Sequence, residues 1–191
     1  MSSTRLVIVH GFMAAPTHHW FQWLKNEAET AGMQVLIPPM PDSDAPDLNK
    51  WLNALENTVG QSDENTWFIG HSLGCITILR YLTEKSATCK AAGMIMVSGF
   101  SEPVEGLALL HPFTQVEIAA ERIINGVRHR AVLASLHDDI VPPEYSLRLS
   151  QQLDADFYAV PHAGHFLGRD GFHELPRVLA LLNDFTERQQ Q

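Results

Sequence analysis

The sequence predicts an α/β fold: an open parallel sheet of six strands with helices on both faces. Two observations predict it. Short β-rich apolar runs alternate along the chain with longer stretches whose apolar residues recur at helical spacing. The strand-like runs are also nearly continuous in apolar residues, as in Gly93-Met94-Ile95-Met96-Val97, which suits strands covered on both faces. Right-handed crossovers then bring every strand C-terminus to one sheet edge, outside which ligands of such sheets bind.

Arg5-Leu6-Val7-Ile8-Val9 is the first strand. Residues 20–29 read as a helix with Trp20, Trp23 and Leu24 on one face, stopped at Gly32. Residues 34–37 form the second strand, ended by Pro38-Pro39. A proline- and aspartate-rich stretch, 41–47, leads into a helix over 48–59 whose stripe is Leu48, Trp51, Leu52 and Leu55. Residues 66–69 are the third strand, 73–84 its helix, and 92–98 the fourth strand. The segment 100–127 is longer than one crossover helix needs; Leu107, Leu109, Leu110, Pro112 and Phe113 suit a small lid of two short helices. Residues 130–135 are the fifth strand, 144–153 a helix and 156–161 the sixth strand. A helix over 175–188, with Leu179, Leu182 and Phe185 in line, closes the chain. No repeat or long linker interrupts this order, so residues 1–191 are expected to form one domain.

Composition narrows the function. The 191 residues are 45% hydrophobic and 18% charged, enough for a sizeable core, and only the end, Arg188-Gln189-Gln190-Gln191, is expected to fray. A formal net charge of −9 repels phosphate backbones and argues against nucleic-acid partners. Cys75 and Cys89 are expected to be reduced thiols. No signal-like start and no apolar run of membrane-spanning length occur, so a soluble cytoplasmic protein is expected.

The chemistry gathers at predicted strand ends. Gly70-His71-Ser72-Leu73-Gly74 lies where the third strand becomes a helix. Glycines there permit a strained turn that exposes the Ser72 hydroxyl. A serine nucleophile needs a histidine base, and that base needs a carboxylate to fix its tautomer. After the fifth strand come His137-Asp138-Asp139, and after the sixth His162-Ala163-Gly164-His165. The order serine, aspartate, histidine belongs to this nucleophile turn. After the first strand, His10-Gly11-Phe12 brings the Phe12 backbone N–H toward Ser72, with the Leu73 N–H as the second oxyanion donor. His10 is a candidate for orienting that loop and His71 for lining the pocket. His18 and His19 are expected on the surface at a helix start, and Arg128-His129-Arg130 as a solvated approach to a strand.

"VIVHGF", "FIGHSLG", "DDIVP" and "HAGHF" resemble an α/β-hydrolase. The absence of strands before "VIVHGF", with "HHWFQWL" and "HSLGCITILRYL", resembles the small serine hydrolase family related to retinoblastoma-binding serine hydrolases, over nearly the whole chain. The resemblance implies a compact three-layer sandwich, esterase-type activity on small acyl substrates and no cofactor. It selects His165 over His162, because Gly164-His165-Phe166 fits the family pattern, and Asp138 over Asp139, because the acid lies four positions before Pro142. Ser135-Leu136-His137 departs from relatives that carry glycine there. No carboxylate–histidine spacing supports a metal at His162 and His165. The expected function is cleavage of small carboxylic esters through an acyl-enzyme on Ser72, with thioesters, lactones and amides open to the same parts. The alternative is a weak or inactive protein-binding module of the same fold; no protein partner is indicated.

Overall fold

The apolar runs pair side by side into a single parallel sheet. The computed structural model describes residues 4–189, so Gln190 and Gln191 of the tail expected to fray lie outside it. The strands are β1 (Arg5–Val9), β2 (Gln34–Leu36), β3 (Thr66–His71), β4 (Ala91–Val97), β5 (Val127–Ser135) and β6 (Asp156–Val160), in the spatial order β2-β1-β3-β4-β5-β6. Every neighbouring pair is parallel. The chain winds one way from β1 to β2 and the other way from β3 to β6. The strand order therefore switches between β1 and β3, and a crevice opens beyond their C-terminal ends.

Side chains of each strand alternate between the two faces. Leu6 and Ile8 of β1, with Trp67 and Ile69 of β3, pack under α1 (Phe21–Thr30) and α6 (Pro176–Gln189). Val7, Val9 and Phe68 face the opposite layer of α2 (Leu48–Val59), α3 (Leu73–Arg80), α4 (Ala120–Gly126) and α5 (Pro143–Gln152). Helix α2 shows why its sequence is helical. The Asp47 carboxylate accepts the Lys50 N–H at 2.9 Å as an N-cap, Trp51, Leu52, Leu55 and Val59 form the buried stripe, and Gly60 leaves the helix at φ 65°.

Strand ends shift by one or two residues, β3 running on to His71, and four differences bear on packing. Helix α1 begins at Phe21, so its buried face is Phe21, Leu24 and Ala28, while Trp23 is only half-buried. The helix expected over 73–84 is regular only to Arg80. Its last turn, Tyr81–Lys85, is wider, with the Ser86 N–H donating to the Tyr81 carbonyl at 2.9 Å. In α6 the buried row is Val178, Leu181, Leu182 and Phe185, with Leu179 at its border. Strand β5 starts at Val127, because Arg128-His129-Arg130 is strand and not solvated approach. His129 stacks on Phe185 at 5.1 Å, nearly parallel to Trp67, and Arg130 donates to the carbonyls of Ile124, Val127, Leu153 and Asp154.

Between β4 and β5, a 3-10 helix (Ala108–Phe113) and α4 occupy the long segment. Buried Arg80 of α3 fastens the first of them, donating to the Phe113 carbonyl at 3.1 Å and to the Val116 carbonyl.

Candidate active site

Ser72 is the hinge between β3 and α3, at φ 53° and ψ −120°. A non-glycine residue is strained in that left-handed geometry. The hydroxyl does not cap the following helix, so Oγ is not engaged by the helix backbone. Two glycines make room. A Cβ on Gly74 would stand 2.1 Å from the Val9 carbonyl oxygen, and one on Gly11 would lie 3.1 Å from the Ser72 Cβ. Without side chains there, the end of β1 presses against the Ser72 turn and Phe12 enters the same crevice. The Leu73 N–H, first in its helix, has no intrahelical acceptor. Loop hydrogen bonds among the described residues leave the Phe12 N–H unused as well.

Asp138 and His165 meet from the loops after β5 and β6. His165 Nδ1 donates to Asp138 Oδ2 at 2.7 Å, and both side chains are buried. The same oxygen accepts the Ser98 hydroxyl at 2.8 Å. Oδ1 accepts the N–H groups of Ile140 and Val141 at 3.0 and 2.9 Å. Asp139 is exposed and makes none of these contacts. His162 is also exposed and stacks on His137 with ring centroids 4.1 Å apart.

The backbone of His165 is gripped at both ends. Its N–H donates to Asp170 at 3.0 Å, and its carbonyl accepts His71 Nε2–H at 2.8 Å. His71 thus lies behind His165 and does not line the cavity. Complete burial, followed by the neighbouring His165, holds its pKa well below the usual imidazole range. His10 is likewise one layer back. Its Nδ1–H donates to the Gly11 carbonyl at 2.9 Å and its Nε2 accepts the Met40 N–H at 3.0 Å, with burial lowering its pKa. Both histidines predicted at the pocket therefore brace its walls.

Ser72 and His165 share a cavity of about 450 Å³. Its wall is largely apolar: Phe12, Met13, Leu107, Leu110, Ile140 and Leu167. Leu107 stands just before the 3-10 helix and Leu110 within it, while none of the described lining residues comes from α4. His19 and Arg169 complete the wall. His19 is not the surface residue the sequence suggested. Its turn, at φ 52°, swings it into the cavity, where burial, then the charges of His18 and His165, lower its pKa to about 4. Arg169, Ser98 and Asp170 belong to none of the quoted motifs, and His19 lies in "HHWFQWL" without any sign there of its direction; all four sit in loops or a short 3-10 turn whose course only the fold defines. Among the described residues no cluster of three His, Cys, Asp or Glu side chains could hold a metal ion, and no helix is long and apolar enough to cross a membrane.

This sheet, with a serine at the β3–α3 turn and an Asp–His pair at the same edge, is an α/β-hydrolase architecture. A family model described as serine hydrolase matches residues 6–184, and the chain belongs to that family. YdeN of Bacillus subtilis strain 168, which carries a provisional hydrolase name, is 40% identical over 185 residues, covering 97% of both chains. The crystal structure of the B. subtilis ydeN gene product superposes with a TM-score of 0.93 at 40% identity, over 97% of this chain and all of that one. Est1E from Butyrivibrio proteoclasticus, solved with ferulic acid, is 15% identical with a TM-score of 0.76, covers 98% of this chain and 90% of its own, and shares the fold.

Proposed function

We propose that this serine hydrolase cleaves small carboxylic esters through an acyl-enzyme on Ser72. The observation that carries the reading is the buried 2.7 Å bond from His165 to Asp138, on a cavity shared with Ser72. With its Nδ1 proton committed to Asp138, neutral His165 offers a lone pair on Nε2. Ser72 Oγ attacks the ester carbonyl carbon and its proton passes to that nitrogen. The carbonyl oxygen takes the negative charge, and the N–H groups of Phe12 and Leu73 stabilise it. Collapse breaks the bond to the alcohol oxygen, which receives the proton from His165. Water then attacks the acyl-enzyme by the same route and frees the acid.

An ester is favoured over a peptide by the apolar wall, which matches a short acyl chain and provides no strand edge for an extended backbone. The segment from Leu107 to Phe113 serves as a cover for that chain. Ser72→Ala and His165→Ala should each remove nearly all hydrolysis of 4-nitrophenyl butyrate while far-ultraviolet circular dichroism is unchanged. A fluorophosphonate should add once, at Ser72, as read by peptide mapping. A folded Ser72→Ala protein with most of its activity, or an adduct on a different serine, would refute the mechanism.

A further inference from the structure

Two polar side chains in the cavity wall have no part in acyl transfer, and their chemistry is one-sided. His19 Nδ1 accepts the Gly168 N–H at 2.9 Å, so the proton of the neutral ring sits on Nε2, which donates to no described residue. Arg169 follows Gly168 in the short 3-10 turn Gly168–Asp170. Its exposed guanidinium makes no hydrogen bond or ion pair with any described residue, although the chain carries a net charge of −9. The adjacent carboxylate is already committed: Asp170 Oδ2 accepts the N–H groups of His165 and Leu167 at 3.0 and 3.2 Å. No carboxylate of the described residues lines the cavity. The turn is also fixed in place, held by His19 at Gly168, by Asp170 at His165, and by the Gly171 N–H on the Gly168 carbonyl at 3.0 Å.

We infer that His19 and Arg169 form a carboxylate-recognising end of the cavity, and that the substrates are small esters with an apolar body and a free carboxylate. The inference rests on the ester reading above and narrows it to a substrate class. Both groups present donors only. A carboxylate accepts from both, and its single negative charge matches the one guanidinium that the described residues bring to the wall. A cationic ester meets repulsion from Arg169 and finds no free carboxylate in the wall. The charge can sit on the acyl side or the alcohol side of the ester, and matched pairs separate the two.

The test is calorimetric binding of intact esters to folded Ser72→Ala protein, in which no turnover intervenes. One pair places the charge on the acyl side, 4-nitrophenyl monoglutarate against the neutral 4-nitrophenyl glutaramate. The other places it on the alcohol side, 4-carboxyphenyl butyrate against 4-carbamoylphenyl butyrate. In at least one pair the carboxylate member should bind about tenfold more tightly at low salt, the strength expected of one charge-assisted contact at a partly exposed site. The preference should vanish in Ser72→Ala/Arg169→Gln and fade in 0.5 M salt, taken as roughly several times physiological ionic strength. Equal affinities within both pairs, or a preference that survives Arg169→Gln, would overturn the proposal. Turnover of the same esters by the unsubstituted protein is read separately. If it hydrolyses none of them while the Ser72→Ala preference stands, the ester reading falls and the carboxylate site remains.

Discussion

Asp138 receives four hydrogen bonds, and their arrangement decides what asparagine would do in its place. The backbone N–H groups of Ile140 and Val141 require an acceptor on the Oδ1 side. An asparagine at this position would have to put its carbonyl oxygen there, and its NH₂ would then face Ser98 and His165. His165 Nδ1 would become the acceptor, and the ring proton would move to Nε2, the atom that takes the proton of Ser72 in the proposed mechanism. Asp138→Asn should therefore lose at least about a hundredfold in turnover, by analogy with the roughly ten-thousandfold loss in a serine protease. Exposed Asp139→Asn should stay within about twofold, as a surface substitution does. Turnover of an activated short-chain ester by both variants measures this; a dead Asp139→Asn would move the assignment by one residue. Ser72, Asp138 and His165 are legible in the sequence because each lies just beyond a strand, and parallel topology collects strand ends. Ser98, which also follows a strand, has no motif to single it out. The sequence misplaces His19 because an unusual turn, invisible in residue types, reverses the direction of its side chain.

Elements show the same division. The six strands and most helices follow from apolar periodicity, because burial on two faces leaves a plain pattern. Helix ends and the path of residues 100–127 depend on tertiary contacts, such as Arg80 reaching across to two carbonyls. Arg80→Met keeps much of the buried volume but strands those carbonyls, each at a cost of about 1–3 kcal/mol. Hydrogen exchange over 108–118 should rise in this variant while β3 and β4 remain protected; unchanged exchange there would show that Arg80 is not what holds the segment. The packing of α3 against β1 can be tested as directly. A methyl group on Gly74 collides with the Val9 carbonyl at 2.1 Å and the His10 carbonyl at 2.7 Å. Gly74→Ala must push the start of α3 away from β1, separating the Leu73 and Phe12 N–H groups. We expect roughly 1–3 kcal/mol of destabilisation from this overpacking, measured by urea unfolding. A loss of turnover larger than the stability change explains should accompany it. Full activity and a wild-type urea midpoint would mean that the close approach at Gly74 is not required.

Across the whole molecule, burial keeps four histidines neutral: His10, His19, His71 and His129. Each has a folded-state pKa below its unfolded value of about 6.5. The sign follows from proton binding. Below about pH 6.5 the unfolded chain takes up protons that the folded chain refuses, so stability rises with pH across this window. It is fully present above about pH 6.5 and is lost as pH falls toward the folded values, which for His19 means about 4. The relief of negative self-repulsion on acidification works in the opposite direction, since the net charge is −9 with neutral histidines. His129 separates the two effects, because it lies in β5 away from the cavity wall. Burial is the largest cause of its lowered pKa, with Arg128, Arg188 and Arg130 adding to it. Its Nε2 is buried without a partner among the described residues, and its ring lies nearly parallel to both Trp67 and Phe185. Phenylalanine preserves the ring contacts and removes both the orphaned nitrogen and the titration. His129→Phe should therefore be at least as stable as the parent at pH 7, because an unpaired buried polar atom is gone. It should also lose less stability between pH 7 and pH 5. Urea unfolding at the two pH values gives the difference directly, with up to about 1.4 kcal/mol per pH unit for each proton wholly excluded from the folded state. An identical drop in both proteins would mean that His129 is protonated in the folded chain as readily as in the unfolded one, and the acid sensitivity would come from other groups, His10, His19 and His71 among them.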